Sequence, residues 1–344
     1  MYYTARGGSK RIRLFVIMKK PFISVIIPVY NTSQYLNQCL DSLINQTFQD
    51  IEIICINDGS TDNSLNILKF WASKDERIKV INFTENLKLG TARNTGIKVA
   101  LGTYIGFVDS DDYVSADFYQ SLVDALDLDA DVVTANLSVK FGKEEKLIKR
   151  FDIIPDNQDA IKRDIATNGC RLWLSIFRRS FLIDNHLLFP ERVVYDDNAI
   201  GLCMFLLANR IIVTDNKTPV YFYRINPVSI VHGIFTEQKL SDRITTAKMS
   251  WHNMEHYNLL ETYWEEYNCW FFKVFYRNTL SLLLFKSDNY SCDTIRYIDR
   301  EYKQIVGKFP HNKYMKCIRY LRLYRFIGKF PQLGYVLKII KRIK

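Results

Sequence analysis

Four short apolar runs rich in β-branched residues, separated by stretches of helical period, dominate the first third of the chain. Ile23–Val29 (ISVIIPV), 51–56 (IEIICI), Ile78–Phe83 (IKVINF) and 103–108 (TYIGFV) read as buried strands. After Thr32-Ser33, where an N-cap is expected, Leu36, Cys39, Leu40, Leu43 and Ile44 recur at helical spacing. Leu65, Leu68 and Trp71 mark a second helix, and a third falls near 91–100. Strands that alternate with helices pair in parallel, because a parallel neighbour needs a crossover long enough to hold a helix. The expected fold is therefore α/β: a Rossmann-like, mainly parallel sheet with helices on both faces. Such sheets bind ligands beyond the carboxyl ends of their strands. The polar motifs of this chain fall at those ends.

Farther along, helices are expected over 172–182 and 197–208, and a strand over Val220–Arg224 (VYFYR). Beyond residue 235 the chain is aromatic-rich and helical in period, with no glycine between Gly233 and Gly307. The chain thus divides into an N-terminal extension (1–20), an α/β domain (21–232) and a helical C-terminal region (233–344). Met18 is the expected natural start, and residues 1–17 lack the apolar stretch of a secretory signal. Hydrophobic content of 48% with 14 glycines and 8 prolines indicates a packed core. Seven scattered cysteines without a CxxC pair fit a reducing, cytoplasmic compartment.

The net charge of +10 is unevenly placed. Residues 303–344 hold twelve Lys or Arg and no Asp or Glu, leaving 35 basic against 37 acidic residues elsewhere. A near-neutral body argues against a nucleic-acid partner. In the tail, Val336, Ile339, Ile340 and Ile343 share one helical face, with Lys338, Lys341 and Arg342 off it. A short basic amphipathic helix of this kind suits the interface of an anionic membrane. Packing of the stripe on the chain's own helices is the alternative.

The densest chemistry is Phe107-Val108-Asp109-Ser110-Asp111-Asp112, three carboxylates directly after a buried strand. On an extended backbone Asp109 and Asp111 project to the same side. Paired carboxylates can hold a hard divalent cation (Mn2+ or Mg2+) that bridges a diphosphate. An acidic turn capping a helix after Tyr113 would carry the same residues. The surrounding blocks favour the metal: Ser24-Val25-Ile26-Ile27-Pro28-Val29-Tyr30-Asn31, then Ile56-Asn57-Asp58-Gly59-Ser60-Thr61-Asp62, then Asn86-Leu87-Lys88-Leu89-Gly90-Thr91-Ala92-Arg93-Asn94-Thr95-Gly96.

In their order and spacing these blocks resemble the inverting family-two glycosyltransferases of the GT-A fold, as found in bacterial cell-surface polysaccharide synthesis. The resemblance is strong over 22–115, moderate to about 232 and weak beyond. It implies a nucleotide-sugar donor, with UDP the expected nucleotide, and a glycan or lipid-linked acceptor. Hexosyl or N-acetylhexosaminyl transfer with inversion follows, on the inner face of the cytoplasmic membrane.

The donor residues implied are Pro28, Tyr30, Asn31, Asp58, Arg93, Asp109, Ser110 and Arg224. Pro28 is expected to end the strand ladder, leaving Tyr30 and Asn31 in the loop where the base sits. Asp58 can accept a hydrogen bond from a uracil imide, and Gly59 lets the backbone turn beneath the ring. Asp62 or Ser60 is the expected cap of the next helix. A core aromatic at position 30 and a surface arginine at position 93 are the structural alternatives.

In Val194-Tyr195-Asp196-Asp197-Asn198 the family usually carries Glu-Asp, so Asp197 matches the base and Asp196 departs from the pattern. Ordinary acids at a helix N-terminus would look the same. The stretch Tyr223-Arg224-Ile225-Asn226-Pro227-Val228-Ser229-Ile230 offers Arg224 to the leaving diphosphate; His232, just beyond, is a candidate for the metal beside Asp109 and Asp111, with a lone surface histidine as the alternative. A nucleotidyltransferase lacks support because no Gly-rich phosphate loop follows the first strand. A non-catalytic nucleotide-sugar sensor would not need carboxylates at 109, 111 and 197.

Overall fold

The computed structural model describes residues 20–127, 129–141, 146–149, 151–214, 220–226, 233–287, 291–307, 312–317 and 321–334. Residues 1–19 of the N-terminal extension, His232 and the expected tail helix over 336–343 lie outside the described residues.

The first half runs β1 (Ile23–Val29), α1 (Ser33–Ile44), β2 (Ile51–Asp58), α2 (Ser64–Lys74), β3 (Ile78–Phe83), α3 (Leu89–Val99) and β4 (Tyr104–Phe107). Next come β5 (Tyr113–Val114), α4 (Phe118–Asp124), β6 (Val132–Ala135), β7 (Leu137–Phe141), β8 (Lys146–Lys149) and α5 (Gln158–Asn168). The order continues through β9 (Ser175–Arg178), α6 (Arg179–Asp184), α7 (Asp196–Leu206), β10 (Ile211–Thr214) and β11 (Val220–Arg224). Helices α8 (Glu237–His256), α9 (Trp264–Phe271), α10 (Asn278–Lys286), α11 (Cys292–Val306) and α12 (Leu321–Lys329) follow, with a π-helical turn at Phe272–Arg277 joining α9 to α10.

The seven-stranded sheet has the order β10-β6-β9-β4-β1-β2-β3. Pairing is parallel between β1 and its neighbours β2 and β4, between β2 and β3, and between β6 and β10. Strand β9 is antiparallel to both β4 and β6. The period of two explains the two cores. Val25, Ile27, Ile53 and Cys55 face the helix carrying Leu36, Cys39, Leu40 and Leu43. Ile26, Ile54 and Ile56 face the other side, where Ala92 and Ile97 of α3 pack. That second core continues through α7 and α8 to Ile327 of α12, so the C-terminal helices share it with the sheet.

A second sheet, ordered β5-β11-β7-β8, pairs β11 antiparallel with β5 and parallel with β7. It carries Tyr221 and Arg224 to the turn after β4.

Two expectations change. The helix expected over 172–182 is a 3-10 turn (Leu172–Leu174), then β9, then the short α6. Ile176 and Phe177 are fully buried between β4 and β6, and a strand buried on both faces reads like a buried helix. Pro28 does not end the ladder with β2, which continues to Val29. Its missing N–H falls on the β4 side, the side to which the Ile26 carbonyl turns to accept from Val108 N at 3.1 Å. There the β4 ladder has already stopped at Ile26, so the proline costs no bond.

Gly96 marks the tightest contact of α3 with β1: a Cβ there would lie 2.5 Å from Ile26 Cγ2. Alanine gains about 1 kcal/mol in helix propensity, but overpacking a rigid core costs about 1–3 kcal/mol. Gly96→Ala is therefore expected to lower the urea midpoint of unfolding; a raised midpoint would show that the contact yields.

Candidate active site

Helix α3 grips the loop that leads into α7. Gly90 leaves room for the Pro190 carbonyl oxygen, which would sit 2.1 Å from a Cβ. Asn94 Nδ2 donates to Phe189 O at 2.9 Å, and Asn94 Oδ1 accepts from Phe189 N at 2.9 Å. Between them Arg93, buried, stacks its guanidinium on the Phe189 ring with its carbon 5.2 Å from the centroid. Arg93 Nη1 donates to Asp196 Oδ2 at 2.8 Å and Nη2 to Asp109 Oδ1 at 3.2 Å. One guanidinium thus joins the turn after β4 to the first residue of α7. Burial of Asp196 lifts its carboxyl above the ordinary range even with Arg93 opposing the shift. The surface-arginine alternative for Arg93 is thereby excluded.

Asp197 faces solvent at the N-terminus of α7. Its surroundings are nevertheless dense enough that burial raises its carboxyl; the Arg93 charge opposes the shift and Asp109 adds to it. The residue before the pair, Tyr195, has φ 65°, a strained left-handed conformation for a bulky side chain. Two residues of α8 brace this turn. Asp242 Oδ2 accepts from Val194 N at 3.3 Å, and the buried Arg243 guanidinium lies 4.8 Å from the Tyr195 ring centre. Arg243 is itself anchored by Nε to Thr279 Oγ1 at 2.8 Å and by Nη2 to the Val274 carbonyl.

The acidic segment is a tight turn, not the extended backbone expected: Asp112 N donates to Asp109 O at 3.0 Å, and β5 follows instead of a helix. Asp109 and Asp111 remain electrostatic neighbours, and burial with the Asp109 charge raises the Asp111 carboxyl. Asn226 Nδ2 donates to Asp111 Oδ2 at 3.2 Å. Asp112, fully buried, accepts from Tyr221 OH at 2.8 Å and from Arg224 N at 2.7 Å. Burial and the charges of Asp109 and Asp111 push its carboxyl up to about 8. Ser110 Oγ accepts from Thr32 Oγ1 at 2.9 Å. Arg224 donates to Gln38 Oε1 at 2.5 Å and lies over Tyr35 and Tyr113, 4.7 and 5.3 Å from their ring centres, with its charge felt by Asp111.

The loops after β1 and β2 are tied together. Asn31 Oδ1 accepts from Thr61 N at 2.8 Å and Asp62 N at 3.3 Å, so its carbonyl is spent on the fold. Asp62 receives Ser33 N at 2.9 Å and Ser64 N at 2.9 Å, the first N–H groups of α1 and α2, but the N-cap position of α2 belongs to Asn63, not to Asp62 or Ser60 as expected. Thr32 holds the N-cap position of α1 without a side-chain cap bond. Asp58, buried, accepts from Leu87 N at 2.6 Å, and burial raises its carboxyl. Gly59, at φ 67°, packs where a Cβ would lie 2.4 Å from the Glu85 carbonyl carbon. Tyr30 is 46% exposed, so the core-aromatic alternative fails.

The carboxyl edge of β1, β2 and β4 therefore gathers Tyr30, Asn31, Asp58, Asp109, Ser110 and Asp111, with Arg93, Asp196 and Asp197 joined through α3. Sequence reasoning missed the Asp196 partnership, the Asp112–Tyr221 bond and the brace from α8. Tyr221 had one signal, its place in the alternating VYFYR strand; the others depend on pairings across 103 and 48 residues.

The mainly parallel, helix-covered sheet with an acidic turn at its carboxyl edge has the GT-A architecture. The chain aligns with most of TarS 1–349 from S. aureus, crystallised with UDP-GlcNAc, at a TM-score of 0.65 and 21% identity, covering 91% of this chain and 92% of that one. Residues 24–185 match the family described as Glycosyl transferase family 2. The glycosyltransferase GlyG of Streptococcus pneumoniae serotype 4 is 32% identical over 229 residues, 62% of this chain and 74% of that protein. The uncharacterized glycosyltransferase EpsJ of Bacillus subtilis is 36% identical over 219 residues, 61% of this chain and 63% of its own length, just under two thirds. The chain belongs to glycosyl transferase family 2.

Removing one partner of a buried ion pair strands the other charge, at about 3–5 kcal/mol. Asp196→Asn is therefore expected to lose that much in urea unfolding. Asp197→Asn, solvent-facing at a helix N-terminus, should lose about 1 kcal/mol or less. Equal losses would show that the two acids are not divided between fold and solvent in this way.

Proposed function

We propose that this protein transfers a hexosyl or N-acetylhexosaminyl group from a UDP-linked donor to a hydroxyl of a glycan or lipid-linked acceptor, with inversion. The observation that carries the reading is the Arg93 bridge, which holds Asp109 and the Asp196-Asp197 pair in one frame. A donor diphosphate at the turn after β4 and an acceptor hydroxyl at α7 would then meet at a distance the fold sets.

The nucleotide fits the edge formed by the β1 and β2 loops. Tyr30 offers a half-exposed ring face and the Asp58 carboxylate an acceptor for an imide N–H. Asn31 and Pro28 shape this edge, while Ser110 holds the acidic turn to the N-terminus of α1 through Thr32.

A divalent cation, Mn2+ or Mg2+, suits the turn. No group of three or more His, Cys, Asp or Glu among the described residues is arranged to hold one. Two carboxylates completed by substrate phosphate oxygens and water are the usual ligand set of Mg2+ in phosphate sites. Burial and the neighbouring carboxylate charges raise the carboxyls of Asp111 and Asp112, a repulsion that a bound cation would relieve. The residues that would hold it are Asp111 and Asp109. When bound, it supplies charge neutralisation for the departing diphosphate. Arg224 adds a fixed positive charge beside Asp111.

Asp197 takes the acceptor proton as general base, its raised carboxyl being closer to the working pH than an ordinary aspartate. The hydroxyl oxygen bonds to the anomeric carbon as the bond to the diphosphate breaks, through an oxocarbenium-like state. No enzyme nucleophile intervenes, so configuration inverts. Cell-surface polysaccharides such as capsule or lipopolysaccharide are the acceptor class this reading favours. The enzyme would meet them as a peripheral protein on the inner face of the cytoplasmic membrane.

Asp111→Asn is expected to abolish both turnover and metal-dependent donor binding, read by calorimetry with UDP-GlcNAc and Mn2+. Asp197→Asn should lose about 10²-fold or more in transfer while donor affinity holds. Wild-type metal dependence in the first variant, or a parallel loss of donor affinity in the second, would overturn these assignments.

A further inference from the structure

Helix α12 has two faces of different character. Inward, Ile327 is fully buried, and Tyr324 OH shares a 2.5 Å hydrogen bond with Ser281 Oγ on α10. Gly328 packs so closely that a Cβ would lie 1.9 Å from Tyr276 OH. The Arg325 charge acts on the buried Tyr276 and Tyr302, so it belongs to this inner side. Outward, Leu323, Phe326 and Phe330 stand at i, i+3 and i+7, with 36%, 53% and 42% of their surfaces exposed. The Phe326 and Phe330 rings lie 4.9 Å apart, and the Lys329 ammonium sits 5.6 Å from the Phe330 ring centre. Arg322 and Lys329 are exposed on the flanks.

We infer that this outward ridge is a docking surface for anionic lipid, seating Leu323, Phe326 and Phe330 in the headgroup–acyl boundary. This rests on the reading that the acceptor is presented at a membrane. Two observations choose lipid as the occupant. The segment from 303 to 344 holds twelve basic and no acidic side chains, a charge complement to an anionic surface with no counterpart for a mixed-charge protein partner. Two aromatic rings and a leucine, rimmed by long cationic side chains, also match an interfacial helix. The same helix is too short and too charged to enter deeper, and no helix among the described residues is long and apolar enough to cross a membrane. Its inner face fixes the ridge to α10, so lipid contact would set the orientation of the whole catalytic body.

The test is flotation of the full chain with vesicles free of donor and acceptor, either pure phosphatidylcholine or phosphatidylcholine with phosphatidylglycerol. Wild type should float with the anionic vesicles and release as salt rises. Phe326→Ser combined with Phe330→Ser should lose about ten-fold or more of that binding, with an unchanged unfolding midpoint. Arg322→Gln and Lys329→Gln should lose about five-fold for each charge removed. Wild-type flotation by the aromatic variant would overturn the proposal, as would equal binding to neutral vesicles. A wild-type dimer that the aromatic variant dissolves, seen by sedimentation, would reassign the ridge to a second copy. Donor turnover on a soluble acceptor, run in parallel, reports on the reaction alone: a wild type that turns over donor but does not float sinks only the surface, and a wild type that floats but does not turn over donor sinks only the reaction.

Discussion

A single buried cation holds the two chemical halves of this protein together. Arg93 sits out of water, which is costly for a guanidinium, and that cost is offset only because Asp196 and Asp109 both bond to it and Phe189 covers its face. The neighbours of Arg93 on α3 serve the same purpose: Gly90 admits the Pro190 carbonyl, and Asn94 pairs with the backbone of Phe189. The block that looks in sequence like a nucleotide motif is, in three dimensions, largely a clasp on the loop before α7. Asp196 is then understandable where the family usually has glutamate. It is fully buried at the end of a 2.8 Å bond, and it is the partner of Arg93, not a group facing solvent.

The other organising constraint is the acidic turn. Asp109, Asp111 and Asp112 have different environments within four residues. Asp109 touches Arg93, Asp111 meets Asn226, and Asp112 is sealed against Tyr221 and the Arg224 backbone. The small second sheet exists at this place because β11 pairs with β5, directly after the turn, and so delivers those partners. Charge repulsion among the three is relieved unequally. Burial and the charges of Asp109 and Asp111 drive Asp112 toward its neutral form.

The sheet was legible in sequence where local and tertiary signals agree. Strands β1 to β4 combine β-branched runs with intervening amphipathic helices, and each lies where the periodicity predicts. Strand β9 shows the opposite case: LWLSIFRRSFL has no period that separates a doubly buried strand from a helix, and only the slot between β4 and β6 decides. The site was legible to the extent that its residues sit at the ends of recognisable strands, as Tyr30, Asp58 and Asp109 do. The division of labour between Asp196 and Asp197 was not, because it depends on an arginine 103 residues away. Likewise Asn31 stands at the expected edge, yet its side chain is engaged in stitching two loops together.

The strained Tyr195 turn has a consequence for anyone who would treat this protein as modular. Its unfavourable backbone conformation is maintained by Asp242 and Arg243, which belong to a helix beyond the α/β sheet. The acids at the start of α7 are thus held in place by a segment that contributes nothing to the edge formed by the β1 and β2 loops. A chimera that exchanges the helical region to change acceptor choice would, at the same time, disturb Asp197, the residue proposed to take the proton. On the proposed reading, specificity and reactivity are mechanically inherited together, and any recombination point worth choosing must keep α7 and α8 on the same side of the seam.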